Sequence, residues 1–283
     1  MFDVLIVGGG PAALTAAIYS RRAGKSVLIV ERMVPGGQIA LTNTVENYPG
    51  IKKTDGMTLA TMMFEHAQSL GTQFVFSDVL EFSLEGKVKK IRTHEGTFEG
   101  KVIILCLGAS AKQLNLENEK KFLGRGVSYC ATCDGKLYEH KKIAVICNDP
   151  KFEHEVEYLA ELAAEVQYFP TFESRVQADN VTVSREIPAR ITGDKSVQAL
   201  ELRSGERLQV DGVFCLRNAI TPAHLFPGIQ IENGHIAVDR AMATNFNGCF
   251  ACGDCTGRPY QYAKAVGEGN VAAHSVIKYL SQM

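Results

Sequence analysis

The sequence predicts an α/β protein that is built on parallel sheets and divided into two domains. At 283 residues the chain has about twice the usual length of one domain. An apolar run at 101–107 ends in a small-residue turn, as a parallel strand buried on both faces does, and a similar strand is predicted at 142–146. Near the N-terminus an apolar run, a glycine-rich turn and a helical pattern follow one another.

Composition and charge exclude several classes of function. The chain has 30 Lys and Arg against 31 Asp and Glu, so it lacks the overall basic balance of a dedicated nucleic-acid binder. No apolar run approaches the roughly 18–20 residues that span a bilayer. The N-terminus enters an apolar run without a basic region or a cleavage site. We therefore expect a cytoplasmic protein with neither a nucleic acid nor a membrane as partner.

The N-terminal strand, turn and helix carry a dinucleotide-binding fingerprint. Gly8, Gly10 and Ala13 fill its three small positions, which allow a tight turn and close approach of the backbone to a pyrophosphate. A second strand over 27–30 ends at Glu31, where an acidic side chain can bond ribose hydroxyls. The residues predicted to hold this dinucleotide are Gly8, Gly10, Pro11, Ala12, Ala13 and Glu31.

The segments after the second strand read as loops, a helix and further strands. The loops at 35–38 and 46–50 mix glycines with amide side chains that can lie against a planar ring. Residues 57–70 have a helical pattern, and its Met and Phe side chains are interpreted as core. Residues 74–105 contain alternating, strand-like segments.

Two cysteines separated by two residues, Cys130 and Cys133, are the sharpest chemical feature of the chain. Such a pair can close a small disulfide ring, and a lowered thiolate pKa lets one sulfur attack another disulfide. The adjacent Asp134 is a candidate donor of the proton that a leaving thiolate needs. Half of a zinc site is the alternative, and it requires a second Cys or His pair of matching spacing.

A second cysteine cluster, Cys249, Cys252 and Cys255, resembles an iron–sulfur binding segment. No cysteine follows Cys255, so the fourth ligand of such a segment is missing. The segment also reads as a strand that ends at Gly253 and Asp254, where the Asp faces a bound cofactor. We interpret these thiols as buried or incidental and predict no metal.

These motifs together resemble the low-molecular-weight, flavin-containing thioredoxin reductases over nearly the whole chain. The resemblance implies two Rossmann-like domains of three layers. The FAD domain consists of 1–111 and 237–283, and a smaller redox-active domain, 112–236, is inserted between them. It implies a homodimer and a rotation of the inserted domain about connections near 111–114 and 235–238. The segments that carry the resemblance are 8–13, 36–38, 45–50, 124–135, 250–254 and 261–269.

The same resemblance assigns roles at the cofactor and at the redox pair. It implies that Cys133 faces the isoalloxazine ring, that Cys130 attacks the thioredoxin disulfide, and that Asp254 bonds the ribityl chain of FAD. Tyr260 departs from the pattern, since the family usually has Arg there. The further FAD-binding residues that it implies are Gly37, Gln38, Asn47, Gly108, Ala109, Gly253, Asp254, Gln261, Tyr262 and Ala263.

The inserted domain departs from the members of this family that use NADPH. After the strand at 142–146, Cys147, Asp149 and Phe152 stand where the fingerprint has Gly, Gly and Ala. Phe152 is expected to collide where the helix presses on the strand. Asp149 is expected to cap the helix and take the donors that a pyrophosphate needs.

Charge and loop composition also disfavour a nucleotide in the inserted domain. The next helix is predicted to add negative charge near the phosphate position. After the strand at 166–169 the chain reads Pro170, Thr171, Phe172, whereas the family places a His-Arg-Arg cluster that holds the 2′-phosphate of NADPH. The acidic residues assigned to the helix are Glu153, Glu155, Glu157, Glu161 and Glu165.

The chain therefore most resembles the ferredoxin-dependent flavin thioredoxin reductases, which lack both nucleotide motifs. That resemblance implies electron transfer from reduced ferredoxin through FAD and the Cys130–Cys133 pair to thioredoxin. Two alternatives stay open: NAD(P)H or another flavoprotein as donor, and a non-catalytic FAD-binding redox sensor. Ferredoxins are usually acidic, so a basic docking face is expected. Two basic runs are candidates for it, although each is also explained as ordinary solvated surface: Lys87, Lys89, Lys90 and Arg92, or Lys120, Lys121 and Arg125.

Overall fold

The chain folds into two units in the computed structural model, which describes residues 1–32, 35–111, 116–217, 219–220 and 226–283. The first unit consists of Met1–Ser110 and Ile220–Met283, and the second of Ala111–Ala219. The strands are β1 (Phe2–Val7), β2 (Val27–Glu31), β3 (Gln73–Phe76), β4 (Val79–Ser83), β5 (Lys89–Thr93), β6 (Gly96–Leu105), β7 (Ser110–Ala111), β8 (Val127–Ser128), β9 (Lys142–Cys147), β10 (Glu165–Pro170), β11 (Val181–Val183), β12 (Pro188–Gly193), β13 (Val197–Leu202), β14 (Arg207–Gln209), β15 (Gly212–Leu216), β16 (Ala219–Ile220), β17 (Ile231–Glu232), β18 (His235–Ile236) and β19 (Cys249–Ala251). The α-helices are α1 (Pro11–Arg22), α2 (Gly56–Ser69), α3 (Ala131–Asp134), α4 (Glu153–Leu162) and α5 (Tyr262–Ser281).

The main sheet of the first unit has the order β3-β2-β1-β6-β5-β4, and β19 also pairs with β6. Strands β1, β2, β3, β6 and β19 run parallel, with Val4 opposite Val27 on one side and Val102 on the other. Helices α1 and α5 cover one face and contribute Leu14 and Val276 to its core. They pack closely because Gly269 of α5 lies against the backbone of α1. The apolar runs predicted at the two central strands are therefore buried on both faces, as parallel strands require.

The second unit has three layers. A parallel sheet in the order β11-β10-β9-β15-β8 lies between helix α4 and the antiparallel sheet β12-β13-β14. Val156 and Leu159 of α4 pack on one face of the parallel sheet, and Ile191 and Leu200 of the antiparallel sheet pack on the other. The predicted α/β class with two Rossmann-like domains is confirmed.

The second boundary between the units falls earlier in the chain than the predicted one at 236/237. Phe226, Ile229 and Ile236 are buried in the core formed by one face of the first unit's sheet, next to residues such as Leu5. Segment 226–236 therefore belongs to the first unit, and the rotation point predicted at 235–238 does not lie between the units. The other predicted connection includes 112–114, which lie outside the described residues.

Helix α2 matches the predicted position, but its buried side differs from the predicted one. Leu59, Ala60 and Ala67 are buried, whereas Met62 is 56% exposed. Phe64 is half-buried, and its ring centroid lies 4.7 Å from that of Phe74. The interpretation of the Met and Phe side chains as core was therefore wrong for Met62, but Met63 and Phe64 are half-buried and pack against the core of the first unit. Within the described part of the chain, no helix is apolar and long enough to cross a membrane.

Candidate functional site

The turn between β1 and α1 forms a cradle that only glycine fits. Gly8 has a φ of 100°, and a Cβ there would lie 2.2 Å from the carbonyl oxygen of Cys106. Gly10 precedes α1, which begins at Pro11, and no side chain caps its first turn. Ala12 is 5% exposed and Ala13 is fully buried. The uncapped helix start directs its backbone N–H groups and the positive end of the helix dipole toward the cradle, which suits a pyrophosphate.

Glu31 lies at the mouth of this cradle. It ends β2, and its Oε2 accepts a hydrogen bond from the Gly9 N–H at 2.5 Å. A Cβ on Gly9 would lie 2.9 Å from Glu31 Cγ, so the close approach of the carboxylate also depends on a glycine. The structure thus brings Glu31 next to the glycine turn, as the dinucleotide fingerprint predicts.

Hydrogen bonds connect the amide-bearing loops with the chain segments that flank them in the first unit. Gln38 Nε2 donates to the Ala109 carbonyl at 2.7 Å. Asn47 Nδ2 donates to Gln261 Oε1 at 3.3 Å, and the Tyr262 hydroxyl lies 2.9 Å from Thr42 Oγ1. Segments that are far apart in sequence are thereby brought together beside the cradle, where Gly36 N–H donates to the Gly9 carbonyl at 2.7 Å.

The remaining predicted cofactor residues lie around the same cradle. A Cβ on Gly37 would lie 3.3 Å from Gly10 Cα, and one on Gly253 would lie 3.0 Å from Ala12 Cβ. Gly108 has a φ of 65° and precedes the buried Ala109. Ala263, in the first turn of α5, is exposed. The individual roles of these residues in FAD binding stay predictions.

Asp254 follows Gly253 at the end of β19 and begins a short 3-10 helix. Burial raises the pKa of its carboxyl group to about 6, while the nearby Lys264 acts in the opposite direction. A carboxylate that is buried at some electrostatic cost can be stabilised by a hydroxyl donor such as one of a ribityl chain.

Sequence reasoning missed the group that holds Asp254's backbone in place. Glu268 Oε2 accepts from the Gly253 N–H at 2.8 Å, and Lys264 Nζ donates to the carbonyls of Gly253 at 2.9 Å and Gly257 at 2.7 Å. The Lys264–Glu268 ion pair, at 3.2 Å, has the i, i+4 spacing of a helix. That spacing in the sequence is the signal from which the pair could have been found.

Cys130 and Cys133 form a disulfide in the second unit. The bond spans the start of α3, and both sulfurs of the alternative zinc half-site are used in it. Asp134 is the last residue of α3, and burial raises the pKa of its carboxyl group, whereas the contact with Ser128 lowers it. Ser128 Oγ lies 2.6 Å from Asp134 Oδ2 and accepts from the Cys130 N–H at 3.1 Å. Ser128 lies within the motif 124–135 that carries the resemblance, but the sequence analysis assigned it no role.

A buried polar network adjoins the disulfide through Tyr129. The Tyr129 hydroxyl donates to Glu119 Oε1 at 2.6 Å, and the Arg217 guanidinium forms an ion pair with the same carboxylate. The guanidinium carbon lies 4.8 Å from the centroid of the Tyr129 ring. Glu119 and Arg217 are far apart in the sequence, so no local pattern reveals this pair.

The glutamates predicted to form one acidic helix face have different environments. Glu155 is 6% exposed, and its Oε2 accepts from the Ala131 N–H of α3 at 3.4 Å. Glu165 lies on β10 rather than on the helix, and it pairs with Lys142 at 2.7 Å. Glu153 and Glu155 both lie in the first turn of α4, so the prediction of five helical charges near a phosphate position was wrong for Glu165, and Glu155 is bound to α3 instead.

The turn after β9 is filled by the protein's own side chains. Asp149 Oδ1 accepts from the Lys151 N–H at 3.1 Å, which confirms the predicted cap. Phe152 is 4% exposed and packs in the core beneath α4. The predicted collision is avoided because Phe152 lies in a 3-10 turn, and α4 begins only at Glu153.

Glu153 occupies the donors of the loop that follows β10. Its Oε1 accepts from Ser174 Oγ at 2.8 Å and from the Arg175 N–H at 3.0 Å. In the resembling NADPH-dependent family, the loop at this position binds a phosphate. Here a carboxylate of the chain itself is bound to it.

The second cysteine cluster does not converge on one point. Cys249 and Cys255 lie in the core on one face of the first unit's sheet, and Cys252 lies on the other face, with its sulfur 3.4 Å from that of Cys106. Burial raises the pKa of Cys249 to about 11 and that of Cys255 to about 12. Thiols on two faces of a sheet do not converge as the ligand set of an iron–sulfur cluster.

The two basic runs also differ. Lys89 is 2% exposed and donates to the carbonyls of Leu84 at 2.6 Å and Gly86 at 2.8 Å, so it is a structural residue. Lys90 pairs with Glu99, and Arg92 with Glu81. The other run consists of Lys120, Lys121 and Arg125, and all three side chains are exposed. None of them has an ion pair with another residue that the structure describes.

Comparison with known proteins agrees with this arrangement. The chain matches the pyridine nucleotide-disulphide oxidoreductases over residues 2–147 and 156–269. The chain belongs to this family. The thioredoxin reductase of Bacillus subtilis is 32% identical over 305 aligned residues, which cover 100% of this chain and 96% of the relative. The chain is thus homologous to the thioredoxin reductases over its full length.

Two solved structures give the same result. The thioredoxin reductase of Streptococcus pyogenes superposes with a TM-score of 0.90 at 30% identity. The match covers 100% of this chain and 99% of that one. A ferredoxin-flavin thioredoxin reductase from Clostridium acetobutylicum is 40% identical with a TM-score of 0.59, at the same coverage of both chains.

The family membership establishes the cofactor and the reaction class. Thioredoxin reductases of this family are FAD-binding flavoproteins, and the cradle formed by Gly8, Gly10 and the uncapped start of α1 fits the pyrophosphate of FAD. The protein is a flavoprotein of the thioredoxin reductase type, with Cys130 and Cys133 as its disulfide and thioredoxin as the implied partner.

Proposed function

We propose that this chain is a thioredoxin reductase that receives electrons from reduced ferredoxin and not from a pyridine nucleotide. The observation that carries the proposal is the occupied turn of the second unit. Asp149 caps the helix start, Phe152 fills the space beneath α4, and Glu153 binds the donors of the loop after β10. A nucleotide phosphate at this turn would meet the Glu153 carboxylate and the Asp149 carboxylate, which already accepts from the Lys151 N–H.

The family comparison supports both candidate donors in part. The 40% identity to a protein named ferredoxin-flavin thioredoxin reductase supports ferredoxin. The TM-score of 0.90 to a thioredoxin reductase without that name favours the alternative, a reductase that uses NAD(P)H or another flavoprotein. The side chains at the turn after β9 are the reason that we place ferredoxin first.

The cysteine pair performs the disulfide exchange in this proposal. FAD, when bound, accepts single electrons and passes on a pair, which a dithiol alone does not do. This electron pair reduces the Cys130–Cys133 disulfide. In this proposal Cys133 is the sulfur that faces the flavin, and Cys130 is the sulfur that attacks the thioredoxin disulfide. Asp134, whose pKa is raised by burial, is the group that we assign as proton donor to the sulfur of thioredoxin that leaves the broken disulfide.

The surface of the second unit offers a docking face for an acidic donor. Lys120, Lys121 and Arg125 are exposed. Lys120 and Lys121 directly follow Glu119, whose carboxylate accepts from the hydroxyl of Tyr129, the residue before Cys130. The run at 87–92 is less suited, since Lys89 is buried and its neighbours are paired. We place ferredoxin at the exposed run.

Three further features belong to the proposal: a homodimer, a cytoplasmic location, and a domain rotation that presents the disulfide first to the flavin and then to thioredoxin. Small-angle scattering of the oxidised and reduced protein tests the rotation. Identical scattering curves in both states would contradict it.

The donor is tested by anaerobic absorbance of the purified yellow protein during titration with NADPH and, separately, with chemically reduced ferredoxin. We expect bleaching of the flavin with ferredoxin only. Rapid bleaching by NADPH would establish the alternative and would mean that a nucleotide binds despite the side chains at this turn.

The dithiol role has a test of its own. We expect Cys130→Ser to retain FAD and lose thioredoxin reduction by at least roughly a thousandfold, because the attacking sulfur is removed. Ferredoxin should still bleach its flavin. Unchanged thioredoxin reduction would contradict the dithiol mechanism that both candidate donors share, whereas no thioredoxin reduction by the wild-type protein would favour a binding or sensing protein.

A further inference from the structure

The Ser128 hydroxyl lies among three polar groups of the redox motif. The Cys130 N–H donates to Ser128 Oγ at 3.1 Å, and Oγ lies 2.6 Å from Asp134 Oδ2 and 3.2 Å from the Cys130 carbonyl oxygen. Ser128 is 3% exposed, so these protein groups rather than bulk water set the orientation of the hydroxyl. The Cys130 carbonyl also accepts from the Asp134 N–H at 3.3 Å.

The direction of the Ser128 hydroxyl depends on the protonation state of Asp134. A serine hydroxyl donates one proton and accepts at two lone pairs, and the Cys130 N–H takes one of the lone pairs. With Asp134 ionised, the single hydroxyl proton goes to the carboxylate, and the Cys130 carbonyl keeps only the hydrogen bond from the Asp134 N–H. With Asp134 protonated, its O–H donates to the second lone pair and the serine proton reaches the carbonyl, so all three contacts are hydrogen bonds.

We propose that Ser128 is a positioning residue whose hydroxyl turns with the protonation state of Asp134. It donates to the Cys130 carbonyl while Asp134 holds its proton, and it donates to the carboxylate after that proton has left. The inference rests on the proposed function, in which Asp134 supplies a proton during thioredoxin reduction.

The turn of the hydroxyl accompanies a balanced exchange. The Cys130 thiolate attacks one sulfur of the thioredoxin disulfide; a mixed disulfide forms, the thioredoxin bond breaks, and its second sulfur takes the Asp134 proton. Cys133 then attacks the Cys130 sulfur, returns its own thiol proton to Asp134, and releases thioredoxin with one thiol and one thiolate. Between these steps the Ser128 hydroxyl stabilises the Asp134 carboxylate by a charge-assisted hydrogen bond.

Other ionisable groups near Asp134 are accounted for. Burial, together with Asp134 and Asp211, raises the pKa of Tyr138 to about 12, so this phenol stays neutral in the assay range. Glu155 of α4 approaches the same short helix at the Ala131 N–H. A Glu155→Gln variant therefore serves as the control for a nearby charge that does not contact Ser128.

The first test measures the pKa of Asp134 in the oxidised protein by carbon-13 NMR of its carboxyl group. Ser128→Ala should raise this pKa by about one unit, since a hydrogen bond to the ionised form is lost. Ser128→Thr, which keeps the hydroxyl, should restore the original value. An unchanged pKa in Ser128→Ala would overturn the proposal. This measurement uses neither an electron donor nor thioredoxin.

The second test follows thioredoxin reduction by dithionite-reduced enzyme in single turnovers across pH. Asp134→Asn should abolish one limb of the pH–rate profile. Ser128→Ala should shift that limb to higher pH and slow the reaction by about tenfold. In the double variant Ser128→Ala should cause no slowing beyond that of Asp134→Asn alone. If Ser128→Ala slowed the reaction equally at every pH, and by the same factor in the Asp134→Asn background, the role of Ser128 would be merely structural. That result would overturn the proposal. If reduced wild-type enzyme fails to reduce thioredoxin, the proposed function fails, while the NMR titration still decides the role of Ser128.

Discussion

The two sheets of this protein share the strand–turn–helix order and differ in the side chains at the turn. In the first unit, Gly8 is so close to the Cys106 carbonyl that a Cβ would lie 2.2 Å away, and no side chain caps α1. In the second unit, Asp149 caps the turn and Phe152 fills it. The order of elements therefore specifies the fold, whereas a few side chains decide whether a phosphate has room and donors.

Glu153 extends this contrast from space to charge. Its carboxylate accepts from Ser174 and from the Arg175 N–H, at the loop where the resembling NADPH-dependent proteins hold a phosphate. An internal anion thus satisfies donors that a ligand anion satisfies elsewhere. At this loop the side chains of the second unit itself complete these hydrogen bonds.

The largest expected effect comes from filling the first cradle. Gly8→Ala should weaken FAD binding by roughly a hundredfold, because it combines a disfavoured positive φ with a clash against backbone. Gly24→Ala is the matched control, since Gly24 has a φ of 74° and nothing lies within 4 Å of a Cβ there. Flavin absorbance after gel filtration measures both. FAD retention by Gly8→Ala would contradict the contrast between the two turns.

Emptying the second turn should reduce stability without affecting the flavin. Phe152→Ala removes a side chain that is 4% exposed, and we expect a loss of about 3 kcal/mol in the free energy of unfolding of the second unit. FAD content should be unchanged, because the cradle lies in the other unit. Met62→Ala, at a residue that is 56% exposed, should change stability by less than about 0.5 kcal/mol. Denaturant unfolding followed by hydrogen exchange separates the two units. A loss of FAD in Phe152→Ala would show that the units do not behave independently.

The sequence specified the elements and the local motifs because their signals are short in range. The glycine fingerprint, the apolar strands and the Cys130–Cys133 motif each consist of residues only a few positions apart in the sequence. The structure confirmed each of them. The Asp149 cap was predicted for the same reason.

Residues whose environment depends on distant partners escaped prediction. Lys89 reads as surface in the sequence, but it is buried because its side chain lies against the distant Gly248, while the nearby carbonyls of Leu84 and Gly86 satisfy its ammonium group. The Glu119–Arg217 pair joins residues from opposite ends of the second unit. Such contacts are properties of the tertiary fold, and the i, i+4 pairing of Lys264 with Glu268 is the exception that a local pattern could have revealed.

A smaller effect is expected at the exposed basic run of the second unit. Replacing Lys120, Lys121 and Arg125 by Ala should lower kcat/KM for ferredoxin by about tenfold at low salt and progressively less as ionic strength rises. As a control, the rate of thioredoxin reduction by the chemically reduced variant is measured, because this reaction does not include the ferredoxin step.

The other basic run supplies the matched control for charge. A triple variant at Lys87, Lys90 and Arg92 removes the same formal charge but alters a face on which two of the three residues are already paired. We expect it to leave the ferredoxin rate within about twofold. A tenfold loss in this variant, with no loss in the first, would move the docking face to the other unit.

The smallest expected effect is a pH dependence of FAD binding at Asp254. In the protein without ligand, burial raises the pKa of this carboxyl group to about 6. The charge of Lys264 lowers this pKa, and the charge of Glu268 raises it. A ribityl hydroxyl that donates to the carboxylate favours the ionised form and lowers this pKa, so FAD binding releases a proton. Apparent affinity should therefore rise with pH up to about 6 and become flat above it. Flavin fluorescence quenching by apoprotein between about pH 5 and 8 measures the slope, which Asp254→Asn should abolish. A slope of opposite sign would mean that the cofactor binds the protonated acid, and then the first cradle would hold FAD through its phosphate donors alone.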